Sequence, residues 1–91
     1  GVKNMEWEKL GYVLASKYRR DIMLTLAEGE KTPKEIARKT GFYLSHVSST
    51  LSQLESQGLV TCLTPKLRRG RLFGLTKSGE KIINELQRRK E

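Results

Sequence analysis

The fold of this chain is decided by residues 41–79, which read GFYLSHVSSTLSQLESQGLVTCLTPKLRRGRLFGLTKSG. The first half of this stretch carries apolar residues at intervals of three and four, which is the spacing of one buried face of an α-helix. The other side carries short polar groups, where a solvated helix usually carries Glu and Lys. We expect a helix over about residues 43–57, buried through Leu44, Val47, Leu51 and Leu54.

A basic hairpin follows this helix. Gly58 stops the helix, and the alternating β-branched run at 59–64 predicts a strand that turns at 65–70 and returns at 71–75. Charge at a hairpin tip often serves only solvation and edge protection. This turn is dense in cations and free of acids, which favours contact with nucleic acid through Lys66, Arg68, Arg69 and Arg71.

Further helices are expected on both sides of this stretch. Thr32, Pro33 and Glu35 are typical of a helix start with a capping box, and Gly41 ends that helix. Two more helices are expected at 5–14 and at 16–28, the second with Tyr18, Ile22 and Leu26 on its apolar stripe. A last helix is expected after a cap at Thr76 or Ser78, and its apolar positions are Ile82, Ile83 and Leu86. The fold class is therefore mainly α with a small β-hairpin, in the order α-α-α-α-β-β-α.

The charge of the chain is large and unevenly distributed. The 91 residues carry a net charge of +8. Residues 61–91 hold nine Lys and Arg against three Glu, whereas 41–60 hold neither Lys nor Arg. A basic excess indicates an anionic partner, either nucleic acid or a membrane surface. Because no apolar run reaches the ~18 residues of a membrane span and no secretory segment is visible, we expect a cytoplasmic protein without a membrane partner.

Catalytic and metal chemistry find little support in the sequence. The single cysteine, Cys62, excludes an internal disulfide, and one Cys with one His cannot supply the roughly four ligands of a zinc site. No nucleophile–base arrangement, phosphate-binding glycine loop or paired carboxylates stand out. We therefore expect no enzymatic activity, no metal and no cofactor.

The chain resembles the winged helix-turn-helix DNA-binding domains of ArsR/MarR/TrmB-like transcriptional regulators of bacteria and archaea. The resemblance covers about residues 16–89, after an N-terminal extension at 1–15. It rests on the helix start at Thr32 to Ala37, the turn at Gly41, the face of Val47, Leu51 and Leu54, Gly58-Leu59-Val60, Arg69-Gly70-Arg71, and Leu75-Thr76-x-x-Gly79. It implies one domain over 1–91, with a three-helix core, a wing, a C-terminal helix and an extra short N-terminal helix.

The resemblance also implies a sequence-specific regulator that binds double-stranded DNA. The recognition helix would read bases in the major groove through Tyr43, Ser45, His46, Ser49 and Gln53. The backbone or minor groove would be held by Lys34, Lys66, Arg68, Arg69 and Arg71. Tyr43 stands where such domains often have a capping Ser or Thr, so the helix start could shift to Ser45. Its side chain could donate to a phosphate or pack on a sugar, or it could equally cover the turn between helices. No Cys or His cluster matches the metal-sensing branch.

Three questions stay open in the sequence. The N-terminal segment with Trp7, Leu10, Val13 and Leu14 either packs on the domain or forms a homodimer interface, with or without Ile82, Ile83 and Leu86. One alternative function is a winged-helix module for protein–protein interaction in a transcription or replication complex. The other is a charge-driven, non-specific nucleic-acid binder.

Overall fold

The computed structural model describes the backbone of residues 2–89 and the side chains of residues 7–88. In chain order the elements are α1 (Val2–Leu14), α2 (Lys17–Ala27), α3 (Pro33–Thr40), α4 (Leu44–Ser56), β1 (Val60–Cys62), β2 (Phe73–Leu75) and α5 (Lys77–Arg89). This order confirms the predicted fold class, mainly α with one antiparallel hairpin.

Local chemistry fixes both ends of α3. The Thr32 hydroxyl accepts from the Glu35 amide at 3.2 Å, and the Glu35 carboxylate accepts from the Thr32 amide at 2.8 Å, which closes the predicted capping box. The hydrogen bond that the Thr32 amide donates to the carboxylate, aided by the Thr32 side chain, holds the pKa of the Glu35 carboxyl below its usual value. Gly41 ends the helix with φ +80°, a conformation that favours glycine.

Helix α4 begins at Leu44, which decides the alternative left open by the sequence: the start is not shifted to Ser45. Tyr43 takes the N-cap position with extended backbone, but its side chain makes no capping hydrogen bond. Its carbonyl still accepts from the Val47 amide at 3.0 Å and so begins the helical ladder. Because Val47 and Leu51 are buried, tertiary packing fixes the start of the helix without a side-chain cap.

The strands of the hairpin are shorter than predicted, and β2 also pairs with Lys31, which precedes α3. Strands β1 and β2 pair in the register Val60↔Leu75, Thr61↔Gly74 and Cys62↔Phe73. The ladder ends early because the Thr64 hydroxyl accepts from the Leu72 amide at 2.9 Å in place of a backbone carbonyl. On its other edge Phe73 exchanges two backbone hydrogen bonds with Lys31, at 3.1 and 2.9 Å, which was not predicted.

The core draws on all five helices and on the hairpin. Helix α1 takes part in it through Leu10 and Val13, while Trp7 and Leu14 remain 57% and 42% exposed. Packing on the domain is therefore correct for the inner face of the N-terminal segment. The apolar residues of α5 are also covered within the chain, so they offer no dimer surface in this conformation: Ile82, Ile83 and Leu86.

Helix α5 is joined closely to the end of α4 and to β1. The Thr76 hydroxyl donates to the Gly58 carbonyl at 2.6 Å and accepts from the Gly79 amide at 3.1 Å, so Thr76 is the cap and Ser78 is not. A Cβ atom at Gly79 would overlap the Leu59 carbonyl oxygen. The sequence pattern Leu75-Thr76-x-x-Gly79 therefore has a physical reason: Thr76 caps α5, and glycine at position 79 leaves room for the Leu59 carbonyl.

Candidate nucleic-acid interface

The outward face of α4 is a row of serines. At about 100° per residue, the side opposite Val47, Leu51 and Leu54 is centred on four exposed positions. Two of the predicted base-reading residues lie at this centre, and Ser52 joins them although it was not predicted. The intervals of four, three and four residues could have revealed it in the sequence. The full row is Ser45, Ser49, Ser52 and Ser56.

One serine of this row is turned toward its own helix. The Ser56 hydroxyl donates to the Gln53 carbonyl at 2.6 Å. No such bond is formed by Ser45, Ser49 or Ser52 within the described residues, and their hydroxyls face outward from exposed positions.

His46 and Gln53 lie on the flank of α4 that faces α2, away from the centre of the serine row. The side-chain oxygen Oε1 of Gln53 accepts a hydrogen bond from Nε of Arg19 at 3.4 Å, so this predicted base-reading residue already has a partner. The guanidinium of Arg19 lies 3.8 Å from the centre of the Tyr12 ring and donates to the Tyr12 carbonyl at 2.9 Å. Arg19 thus ties α1, α2 and α4 together.

Four rings meet at the start of α4. Tyr18 of α2 contacts Phe42 at a centroid distance of 4.6 Å and His46 at 5.0 Å, and Tyr43 contacts His46 at 5.8 Å. All three contacts are edge-to-face. The sequence placed Tyr18 on the buried stripe of α2, but its ring is 40% exposed, and that of Tyr43 is 77% exposed. No local pattern could reveal this cluster, since α2 meets α4 only in the folded chain.

The wing presents its cations to solvent. Residues 63–72 form a loop held at its base by the Leu63 amide, which donates to the Leu72 carbonyl at 2.7 Å. A tighter turn follows, in which the Leu67 amide donates to the Thr64 carbonyl at 3.1 Å. The predicted wing residues are all exposed, and in the part of the chain that is described none of them forms an ion pair: Lys66, Arg68, Arg69 and Arg71.

The cations around α3 behave differently from one another. Lys39 forms a 3.0 Å ion pair with Glu28, and Lys31 lies 3.8 Å from the same carboxylate. The hydrogen bond and charge of Lys39, aided by Lys31, hold the pKa of Glu28 below its usual value. Lys34, the predicted phosphate contact, is exposed in the first turn of α3.

The parts of this surface adjoin one another, because α4 packs against α2, α3 and β1. The uncharged serine row of α4 therefore lies on a helix that packs against α3 and β1, and exposed cations are found at the start of α3 and in the wing loop that follows β1. A helix packed in this way is the element that enters the major groove in helix-turn-helix proteins. Residues 16–61, about half of the chain, match the sequence profile of bacterial regulatory proteins of the arsR family. The chain belongs to the arsR family. It is thus a regulatory protein rather than an enzyme, as the sequence predicted.

Solved structures of ArsR and MarR regulators share the fold of this arsR-family chain. One is the homodimeric winged helix-turn-helix DNA-binding domain of Mb0332 from Mycobacterium bovis, a possible ArsR-family transcriptional regulator, with a TM-score of 0.68, 28% identity, and coverage of 90% of this chain and 72% of that one. Another is the MarR family regulator NMB1585 from Neisseria meningitidis, with a TM-score of 0.75, 28% identity, and coverage of 96% and 63%. The transcriptional regulator Tm0710 from Thermotoga maritima has a TM-score of 0.73, 28% identity, and coverage of 97% and 63%.

The arsR-family chain spans less than two thirds of the last two proteins. No curated protein matches it in sequence. The winged helix-turn-helix resemblance predicted from the sequence is confirmed, and the structural matches extend it past residue 61, where the family profile ends, to the wing and α5. Among residues 2–89, no helix has the length and apolar character that crossing a bilayer requires.

Proposed function

We propose that this arsR-family chain is a transcriptional regulator that binds specific sequences of double-stranded DNA through one winged helix-turn-helix domain over residues 1–91. Helix α4 lies in the major groove, the wing loop 63–72 holds backbone or minor groove, and Lys34 at the start of α3 contacts a phosphate. The observation that carries the proposal is the serine row of α4 beside a wing with four exposed cations.

The serine row suits a helix that lies deep in the major groove. Serine is short, so the backbone of α4 can approach the base edges, and its hydroxyl both donates and accepts. Serine is also a mediocre helix former, so a helix face rich in it lowers helix stability and is better explained by function than by folding. The face carries no charge, so it can discriminate between sequences but supplies little attraction.

The wing supplies the attraction that α4 lacks. Exposed guanidinium and ammonium groups neutralise phosphates and release counterions, which dominates affinity for DNA. Arg69 and Arg71 flank Gly70 near the tip of the loop, where its φ of +65° makes the turn. Of the two, Arg71 fits a narrow minor groove, in which the negative potential is enhanced, while Arg69 holds a phosphate.

The five predicted base-reading residues take unequal parts in this proposal. Ser45 and Ser49 lie at the centre of the contact with bases. Tyr43 and His46 lie at the N-terminal end of α4, which enters the groove first in helix-turn-helix docking. The side-chain oxygen Oε1 of Gln53 already accepts a hydrogen bond from Arg19, so in this proposal its side-chain amide nitrogen is the group that donates to a base.

The regulator acts as a homodimer in this proposal. The Mycobacterium bovis domain with the same fold is described as homodimeric, and α1 of this chain leaves Trp7 and Leu14 largely exposed. A symmetric dimer presents two α4 helices to two half-sites and gains affinity from both. The surface of α1 around Leu14 therefore supplies the interface, and the buried apolar residues of α5 do not.

Binding to duplexes of varied sequence, measured against salt concentration, tests the proposal. About six phosphate contacts would give a slope near −5 in a plot of log affinity against log salt. We expect such a slope together with a preference among sequences that persists as salt rises. Equal affinity for all sequences would support the charge-driven alternative. Absence of binding at low salt would contradict DNA binding and favour the protein-interaction module.

A further inference from the structure

The aromatic cluster at the start of α4 is formed by Tyr18, Phe42, Tyr43 and His46. Its rings meet edge-to-face, with interplanar angles of 68°, 64° and 72°, a preferred packing geometry of aromatic pairs. The contact with His46 favours particular orientations of the exposed Tyr43 ring.

Tyr43 stabilises the start of α4 less than a capping residue would. At the N-cap of α4, a Ser, Thr, Asp or Asn side chain would accept a hydrogen bond from the first turn, and Tyr43 makes none. Its ring also lies largely in solvent and gains little from burial. The ring of Tyr43, which neither caps the helix nor fills the core, is thus accessible to a partner.

The exposed ring of Tyr43 offers an apolar contact in a part of the surface that has no cation of its own. Helix α4 and its flanking residues 41–60 carry no Lys or Arg, so this part of the surface does not attract phosphate by charge. Within the proposed function, the N-terminal end of α4 meets base edges in the major groove. The thymine C5 methyl group is the apolar group on those edges.

We propose that Tyr43, ordered by His46 and Tyr18, recognises thymine by packing its ring against the C5 methyl group in the major groove. This inference rests on the proposed function and specifies its sequence preference. The serine row reads the hydrogen-bonding groups of neighbouring base pairs. Tyr43 contributes a contact that depends on shape and not on the phenol hydroxyl.

Replacement of single thymines by deoxyuridine tests this contact, because it removes only the methyl group. The duplexes are those that the wild-type protein enriches from a random pool, with each thymine replaced in turn. Loss of one buried methyl should weaken binding about fourfold at one thymine of each half-site. The Tyr43→Ala variant should bind the thymine duplex more weakly and show no further loss with deoxyuridine.

Two further variants distinguish the ring of Tyr43 from its hydroxyl and from the apolar side chain of the wing. Tyr43→Phe keeps the ring without the hydroxyl, so it should retain both affinity and sensitivity to deoxyuridine. Leu67→Ala removes a half-exposed apolar side chain from the wing and should also retain that sensitivity. Because Tyr43 and Leu67 are both exposed, each variant should fold, which thermal unfolding checks.

Several outcomes would overturn the inference. If no deoxyuridine replacement weakens binding, or if Tyr43→Ala remains sensitive to it, Tyr43 does not read the methyl group. If Tyr43→Phe loses as much affinity as Tyr43→Ala, the hydroxyl contacts a phosphate instead. If the protein binds no duplex at all, the proposed function falls together with this inference, whereas tight binding without methyl sensitivity removes the inference alone.

Discussion

Individual side chains on the proposed DNA surface divide into those that discriminate and those that attract. The hydroxyls of Ser45, Ser49 and Ser52 carry no charge, so their contribution depends on which base edge they meet. In the proposed complex the guanidinium groups of Arg68 and Arg69 would act on phosphates, which are alike in every sequence. Substitutions in the two groups should therefore change different measured quantities.

Ser49→Ala should change the preference among duplexes without weakening the fold. Removal of a hydroxyl that contacts a base should alter discrimination between sequences by about 1–3 kcal/mol, and alanine is the better helix former. Binding to a panel of single-base variants of the preferred duplex measures this. Ser56→Ala is the matched control, since that hydroxyl donates within its own helix at 2.6 Å. An equal change in preference for both variants would contradict the assignment of Ser49.

Arg69→Ala should weaken binding to all duplexes alike. Loss of one phosphate contact reduces the steepness of the salt dependence by about one unit of slope. Titrations at four or more salt concentrations measure that slope. Arg88→Ala removes the same charge near the C-terminal end of α5, where Arg88 pairs with Glu85 at 3.0 Å, and should leave the slope nearly unchanged. Equal effects of the two variants would show that binding follows net charge and not the wing.

The helices and the hairpin show which features a sequence can reveal. The capping box of Thr32 and Glu35 and the turn at Gly41 were predicted correctly, because they depend on neighbouring residues. The bridge between Lys31 and Phe73 and the contact between Tyr18 and His46 were missed. These partners are distant in sequence, and only the packing of the elements brings them together.

The start of α4 illustrates a question that the sequence left open. The lack of a short capping residue at position 43 allowed a later start, at Ser45. A capping preference is worth only about 1 kcal/mol. Burial of Val47 and Leu51 outweighs it, since each fully buried side chain of this kind contributes about 1.5–3 kcal/mol.

The junction of α5 with β1 should be intolerant of any side chain at Gly79. Gly79→Ala would place a Cβ atom against the Leu59 carbonyl oxygen, and a backbone atom cannot move aside as a side chain can. We expect a loss of about 1–3 kcal/mol in the free energy of unfolding. Gly11→Ala is the matched control, because a Cβ there has open space within α1 and should stabilise by about 0.5–1 kcal/mol. Urea unfolding measures both, and a neutral Gly79→Ala would contradict the close approach.

Along the whole chain, the basic residues are separated from the serine row of α4. All 18 Lys and Arg lie outside residues 41–60, so in the proposed complex α4 would meet DNA as an element without cations of its own, flanked by basic segments. The sequence predicted this division, because it is a matter of composition along the chain. It could not decide between packing and dimerisation for the N-terminal segment, because both uses favour the same apolar residues. The structure buries Leu10 and Val13 within the chain and leaves Trp7 and Leu14 exposed, so only the packing of the inner face is shown.

Leu14→Glu should convert the proposed dimer to monomers. A carboxylate at the symmetric interface would face its own copy and be desolvated there, which opposes association. Leu63→Glu is the matched control, since Leu63 is as exposed as Leu14 but lies in the hairpin, at 43% against 42%. Sedimentation velocity at micromolar concentration should give a dimer mass for wild type and Leu63→Glu and a monomer mass for Leu14→Glu. A monomeric wild type would contradict the homodimer, and a dimeric Leu14→Glu would place its interface elsewhere than on this face of α1.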